Sequence, residues 1–250
     1  MVTGAAGWRR IGPDPRLLGW VAEALPVAQG VLAASDAARR CGGTWFVGVD
    51  ALPNGPDGGI GQTAFPWAAL PLAPVPLHRA QLSVVAPGYP LPSAEEDEAA
   101  YRFRQRRDAA HLDGLLPVGP DRRRMVKEPH GWILGLPLNA CGAGASPLVV
   151  WEGSHEVMRA ALRAAFRGHD PALWGDLDIT AAYKAARAEV FRHCRRVELP
   201  AQPGEATLLH RLAVHGVAPW AEGAEAPPEG RIIAYFRPQM GSVVDWLDAE

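Results

Sequence analysis

Residues 204–216, Gly204-Glu205-Ala206-Thr207-Leu208-Leu209-His210-Arg211-Leu212-Ala213-Val214-His215-Gly216, run from a turn through a hydrophobic stretch to a His-Gly pair. Sixteen residues beyond His215, Arg231 opens Arg231-Ile232-Ile233-Ala234-Tyr235-Phe236, a β-branched and aromatic run of strand type. Working outward, residues 44–49, 80–85, 131–138, 147–151, 196–199 and 206–209 have the same character and are separated by Gly- and Pro-containing turns. Helical spacing is confined to a few places. Residues 17–40 carry it, interrupted by Pro26 and Gly30, so two helices or one kinked helix are expected. Ser93 and Glu96 have capping-box spacing for a short helix starting over residues 95–100, and Ser154 is placed to cap a helix over 154–167 that Gly168 stops. A last helix is expected over 180–195.

Strands and helices therefore do not alternate as in a parallel doubly wound sheet. The pattern predicts a mainly β chain with flanking helices, folded as a two-sheet sandwich of jelly-roll type. No repeat of fixed period occurs, and the loop 221–230 is too short for a linker, so residues 1–250 are expected to form one domain.

Composition removes several functional classes. Of 250 residues, 48% are hydrophobic and 21% charged, which fits a chain with a buried core. A net charge of −2 gives no global attraction to nucleic acid or anionic membranes. Cys41, Cys141 and Cys194 are odd in number and far apart, without a CxxC pair, so neither a disulfide framework nor a zinc-thiolate site is expected. No secretory signal and no uninterrupted apolar run of membrane-spanning length is read, and a cytoplasmic protein is expected. A GxSxG nucleophile elbow is absent, and Gly142-Ala143-Gly144 does not extend to a dinucleotide-binding fingerprint.

Two histidine contexts carry chemistry. In His111-Leu112-Asp113-Gly114 the imidazole and the carboxylate are two residues apart, so on extended backbone both point to one side and grip one cation from one direction. A second imidazole would complete the two-His, one-carboxylate facial triad of non-haem Fe(II) oxygenases. His215, followed by Gly216, is the candidate; His210 lies five residues earlier and would face the opposite side of a regular strand. Arg231, at the start of its strand, suits a ligand carboxylate such as that of 2-oxoglutarate, because a guanidinium fork bonds both oxygens at once; Arg237 is the alternative anchor. Arg122-Arg123-Arg124 with Lys127 reads as a solvated loop that could attract an acidic ligand, and Trp132 is a candidate for lining the pocket.

In order, HLDG, GWILGLPL, SPLVVWEGSH, GEATLLHRLAVHG and GRIIAYF resemble the phytanoyl-CoA dioxygenase-like family of Fe(II)/2-oxoglutarate oxygenases, over residues 101–237. The resemblance implies a double-stranded β-helix core of the cupin-like kind. It implies His111, Asp113 and His215 as iron ligands, Arg231 as the co-substrate anchor, and Fe(II), 2-oxoglutarate and O2 as the reacting set. Gly153-Ser154-His155 matches a structural turn beside the site. The N-terminal hundred residues correspond to the part that shapes the substrate pocket. The implied activity is hydroxylation of a small organic substrate, with no nucleic-acid or membrane partner. Asp113 points away from halogenation, since related halogenases lack that carboxylate. Two departures stand out: the stretch between His215 and Arg231 is long, and Ile233 stands where a polar partner of the arginine would be. The competing expectations are a non-oxidising jelly-roll metal- or ligand-binding protein and a cupin-like isomerase or hydrolase with another divalent metal.

Overall fold

A computed structural model describes residues 3–94 and 96–249. β1 (Trp8–Ile11) leads into α1 (Pro15–Ala34), whose cap Asp14 accepts the Arg16 N–H and whose first turn holds Pro15, where a missing N–H costs nothing. Residues 15–34 form one helix with Pro26 inside it, not two. After the single turn α2 (Arg40–Gly43) come β2 (Trp45–Leu52) and β3 (Ala80–Val85). α3 (Glu98–Arg107) starts later than the Ser93/Glu96 spacing suggests, because Asp97 is the residue whose carboxylate accepts an orphan amide, that of Ala100 at 2.7 Å. Glu95 lies outside the described residues.

β4 (Leu115–Val118) and β5 (Arg123–Val126) form a hairpin, so Arg123 and Arg124 belong to a strand and not to a loop. β6 (Trp132–Pro137), β7 (Leu148–Trp151), α4 (Ser154–Phe166) and α5 (Thr180–His193) follow. β8 (Arg196–Leu199), β9 (Ala206–His210), β10 (His215–Val217), β11 (Arg231–Phe236) and α6 (Val243–Asp248) complete the chain. Ser154 does not cap α4 with its side chain; its Oγ instead accepts the Val214 N–H at 2.9 Å and ties the Gly-Ser-His turn to the approach of β10.

The strands form a six-stranded sheet, β1-β9-β6-β11-β3-β2, and a three-stranded sheet, β10-β7-β8, with every pairing antiparallel. α1 covers the outer face of the large sheet, where Leu17, Trp20 and Val21 meet Leu82, Leu134, Ile232 and Phe236. α4, α5 and α6 cover the outer face of the small sheet through Met158, Leu162, Tyr183, Val190 and Trp246. Ile133, Leu148, Val150, Leu199 and Leu209 pack between the sheets. This is the mainly β, two-sheet architecture with flanking helices that the strand pattern predicts, and it agrees with the double-stranded β-helix that the resemblance implies.

Strand alternation assigns each face. In β11, Ile232, Ala234 and Phe236 belong to the helix-covered core, whereas Arg231, Ile233 and Tyr235 line the space between the sheets. The same parity puts Trp132 on the outer face, 6.4 Å from Trp67, so it packs in the core and does not line the cavity as the sequence suggests.

α1 is long and apolar enough to cross a membrane, 20 residues with a mean hydropathy of 1.5, contrary to the expectation of no such run. Its face Leu17, Trp20, Val21, Ala24 and Ala28 is buried against the large sheet, and 28% of the apolar window as a whole is buried.

His210 and His215 are not on one strand. β9 ends at His210 in the large sheet, and residues 211–214 carry the chain to β10 in the small one. His210 is buried, its Nδ1 accepts the Leu212 N–H at 2.9 Å, and its ring lies 4.8 Å from that of His155. Burial, reinforced by the charge of Arg211, pushes the pKa of His210 down to about 2. The native state thus refuses a proton that the unfolded chain takes up below its ordinary value of 6.5. Stability contributed this way is full above that value and falls as the pH drops. Between pH 7 and pH 5 the metal-free protein should lose stability in urea titrations, and His210→Gln should reduce that loss by about 2 kcal/mol. An unchanged pH dependence in the variant would exclude His210 as the source.

Candidate metal centre

His111 and His215 face each other across a two-residue antiparallel bridge. The His111 N–H donates to the His215 carbonyl at 2.8 Å, and the His215 N–H to that of His111 at 3.1 Å. His111 is thereby joined to the small sheet beside β10, and the chain turns at Asp113. Directly opposed residues put their side chains on the same face, and so do residues i and i+2. The two constraints together bring His111, Asp113 and His215 to one point, with ligand atoms within 4.8 Å of one another.

The close approach depends on Gly216. A Cβ there would lie 2.1 Å from the Asp108 carbonyl oxygen, which accepts the Val217 N–H at 2.8 Å. Asp108 itself is buried in a left-handed conformation, and its carboxylate takes both Nε and Nη2 of Arg196 at 2.7 Å. Arg196 on β8 thus anchors the segment that delivers His111. Neither Asp108 nor Arg196 was marked by a motif; only their position before HxD and before the last strands could have drawn attention to them.

Each imidazole is oriented by its own backbone. His111 Nδ1 lies 3.0 Å from the Ala109 carbonyl and His215 Nδ1 lies 2.9 Å from that of Ala213. A carbonyl only accepts, so Nδ1 carries a proton in both rings, which leaves Nε2 as the nitrogen able to ligate a metal. The two Nε2 atoms point at Asp113 Oδ1, at 3.2 and 3.8 Å. The other carboxylate oxygen accepts from Arg237 Nη1 at 3.1 Å, and Arg237 Nη2 donates to Gln81 at 2.6 Å. Burial opposes ionisation of Asp113, but the His111 hydrogen bond and the Arg237 charge hold it well below the usual carboxylate range. Burial, with His111 adjacent, lowers His215 to about 4, so it is neutral at physiological pH. Burial works against a charge on His111 too, but the Asp113 carboxylate raises it above its ordinary value, so a metal entering here displaces a proton from its Nε2. Two imidazoles and one ionised carboxylate on one face, with remaining positions open to a cavity, fit a divalent iron.

That cavity, of about 190 Å³, lies between the sheets and is lined by Trp45, Gln81, Ser83, Ile133, Tyr235 and Arg237 as well as the triad. Past Leu148 and Tyr235 it adjoins a narrower recess lined by Thr207, Ile233, Leu199 and Arg231. Arg231 is 7% exposed, and its Nε and Nη2 are buried without a hydrogen-bond partner. Gly230 permits this placement: its φ is +92°, and a Cβ would meet the Val85 carbonyl oxygen at 2.2 Å. Arg237, just past β11, has Nη1 and Nη2 partnered and only Nε without a partner, so of the two candidate anchors Arg231 has the more donors to spare. His130 is buried beside the site and lowered to about 4 by burial and by Arg237; it pairs with Gln239 through the backbone.

No family model matches the chain, and no curated protein matches it in sequence. Among solved structures it is similar to the non-heme alpha ketoglutarate dependent epimerase SnoN from nogalamycin biosynthesis. The TM-score is 0.51 at 16% identity, over 98% of this chain and 85% of that one. SnoN in complex with Fe3+, alpha ketoglutarate and nogalamycin RO gives the same TM-score and identity, over 98% and 86%. The carbocyclase SnoK follows at 0.46 and 12%, over 96% and 85%. At this identity the likeness to SnoN establishes the double-stranded β-helix fold.

Two variants test the construction. Gly216→Ala should push residues 108–111 from β10 and weaken Fe(II) binding at least about tenfold, with the far-ultraviolet spectrum retained, because a Cβ cannot share space with a backbone oxygen. Wild-type affinity in that variant would remove the close approach as the cause. Arg237→Ala leaves Asp113 with one fixed oxygen fewer; Fe(II) affinity should fall about 10- to 100-fold, measured by competition with a chelator.

Proposed function

We propose that this chain is an Fe(II)/2-oxoglutarate-dependent dioxygenase of the phytanoyl-CoA dioxygenase-like kind, a one-domain cytoplasmic enzyme that hydroxylates a small organic substrate. The observation that carries the reading is the buried Arg231, with two donors unpartnered, in a recess that shares Leu148 and Tyr235 with the cavity of a His-Asp-His face. A buried guanidinium without an acceptor is costly, and a carboxylate entering the recess would relieve that cost. 2-Oxoglutarate has one carboxylate for Arg231 and a second, beside its keto group, for the metal.

In this reading His111, Asp113 and His215 hold the iron through Nε2, Oδ1 and Nε2. Iron with 2-oxoglutarate and O2 supplies the oxidising power, coupling decarboxylation to succinate with oxidation of a substrate C–H bond. The Ala109 and Ala213 carbonyls keep the imidazoles in the ligating tautomer, and Arg237 with Gln81 fixes the Asp113 carboxylate. Arg231 binds and orients the co-substrate in a recess that Thr207 also lines. Ile133, Leu148 and Ile233 exclude water from the inner cavity. His111, whose side chain is 44% exposed, faces the mouth through which the substrate arrives.

Anaerobic addition of Fe(II) and then 2-oxoglutarate should produce the visible charge-transfer band of the chelate. His111→Ala should abolish it. Arg231→Ala should leave Fe(II) binding intact and raise the 2-oxoglutarate concentration needed by at least about tenfold, the loss of a charged hydrogen-bond pair. Absence of the band in folded, iron-loaded wild type would instead favour a non-oxidising jelly roll.

A further inference from the structure

Outside the inner cavity, the metal face opens into a wider mouth of about 520 Å³ lined by α3, α5, the β4–β5 hairpin and Arg40. Its charge is lopsided. Arg40, Arg104, Arg124, Arg187 and Arg237 line it against only Asp113 and Glu128, in a chain whose net charge is −2. Two of the five are committed: Arg237 to Asp113, and Arg104 to Glu96 at 2.5 Å. The other three have no carboxylate partner among the described residues. Arg124 Nη1 donates to the Leu115 carbonyl, and Arg187 Nη1 to the Ala110 carbonyl and the Tyr183 hydroxyl, each at 3.3 Å. Arg187 is also held flat between rings, with its guanidinium carbon 4.7 Å from the Phe103 centroid and 5.0 Å from that of Tyr183. Arg40 is exposed, shows no side-chain contact among the described residues, and borders both the mouth and the inner cavity.

A guanidinium clamped by aromatic rings and carbonyls is pre-oriented, so little rotamer freedom is left to lose when an anion binds. Arg187 is held in this way, Arg124 by a carbonyl alone, and together with the exposed Arg40 they focus positive potential around one concavity and draw anions in against the sign of the whole molecule. We propose that the substrate is a small anion carrying a phosphate or carboxylate group, held at the mouth by Arg40, Arg124 and Arg187 while its reacting carbon reaches the metal face. The proposal rests on the oxygenase reading for the word substrate; the anion site itself rests on the arginines.

The test uses metal-free, full-length protein, so that no iron competes for the probe. Inorganic pyrophosphate and, separately, citrate are titrated by calorimetry at low ionic strength. Saturable binding is expected, tighter for pyrophosphate if the natural group is a phosphate and for citrate if it is a carboxylate. Arg40→Gln and Arg187→Gln should each weaken the preferred anion about tenfold. Arg9→Gln, an exposed arginine on β1, should not, and Arg231→Ala should leave pyrophosphate binding within about twofold. Added salt should weaken binding. Arg40→Gln changes no packed group, so it remains informative if Arg187→Gln does not fold. No saturable binding of either anion, or wild-type affinity in both mouth variants, overturns the proposal. Arginine-dependent binding in a protein that gives no Fe(II)/2-oxoglutarate band would retain the anion site and remove the oxygenase reading; a band without anion binding would do the reverse.

Discussion

Everything functional in this molecule depends on one pair of backbone hydrogen bonds, those between His111 and His215. They join segments a hundred residues apart in the chain and set two imidazoles directly opposite one another. The pairing in turn needs a bare backbone at Gly216, a left-handed turn at Asp108 and Ala109, and the Arg196 clamp on the Asp108 carboxylate. None of these groups touches the candidate metal position, yet each decides where its ligands lie.

Around that pairing the protein keeps polar groups under strict control. The imidazoles are oriented by carbonyls two residues back, and Asp113 is shared between the metal face and Arg237. Arg231 is different: two of its buried donors lack partners, in a recess near the metal face. Burial without satisfaction works against folding, so a guanidinium left this way beside a cavity is a sign of ligand recognition. In the mouth, Arg187 is braced by rings and carbonyls and Arg124 by a carbonyl, while Arg40 is exposed.

Much of this was legible in the residues. The runs at β3, β6, β7 and β11 declared themselves by β-branched and aromatic content, and the HxD and His-Gly spacings pointed to His111, Asp113 and His215. What escaped had physical reasons. β1, β4, β5 and β10 are only three or four residues long, too short for alternation to register. His210 and His215 looked like one strand because the turn between them, Arg211-Leu212-Ala213-Val214, contains no glycine or proline; tertiary packing bends it, with Val214 held by Ser154. Trp132 was assigned to the wrong face because strand parity shows which residues share a face but not which face is the cavity. The roles of Asp108, Arg196, Gln81 and Arg187 depend wholly on long-range neighbours, which no local pattern encodes.

The parity of β11 has a consequence for how such a protein can diversify. The strand carries the cavity on its odd residues and the core on its even ones, with Arg231 and Arg237 at its two ends. A single inserted or deleted residue within it would keep one arginine facing inward and turn the other toward the hydrophobic layer. The stretch before it, residues 218–230, ends in the permissive Gly230 and carries no such count. Length variation is therefore channelled into the loop, while the strand keeps its register as a fixed ruler between Arg231 and the Arg237 that holds Asp113.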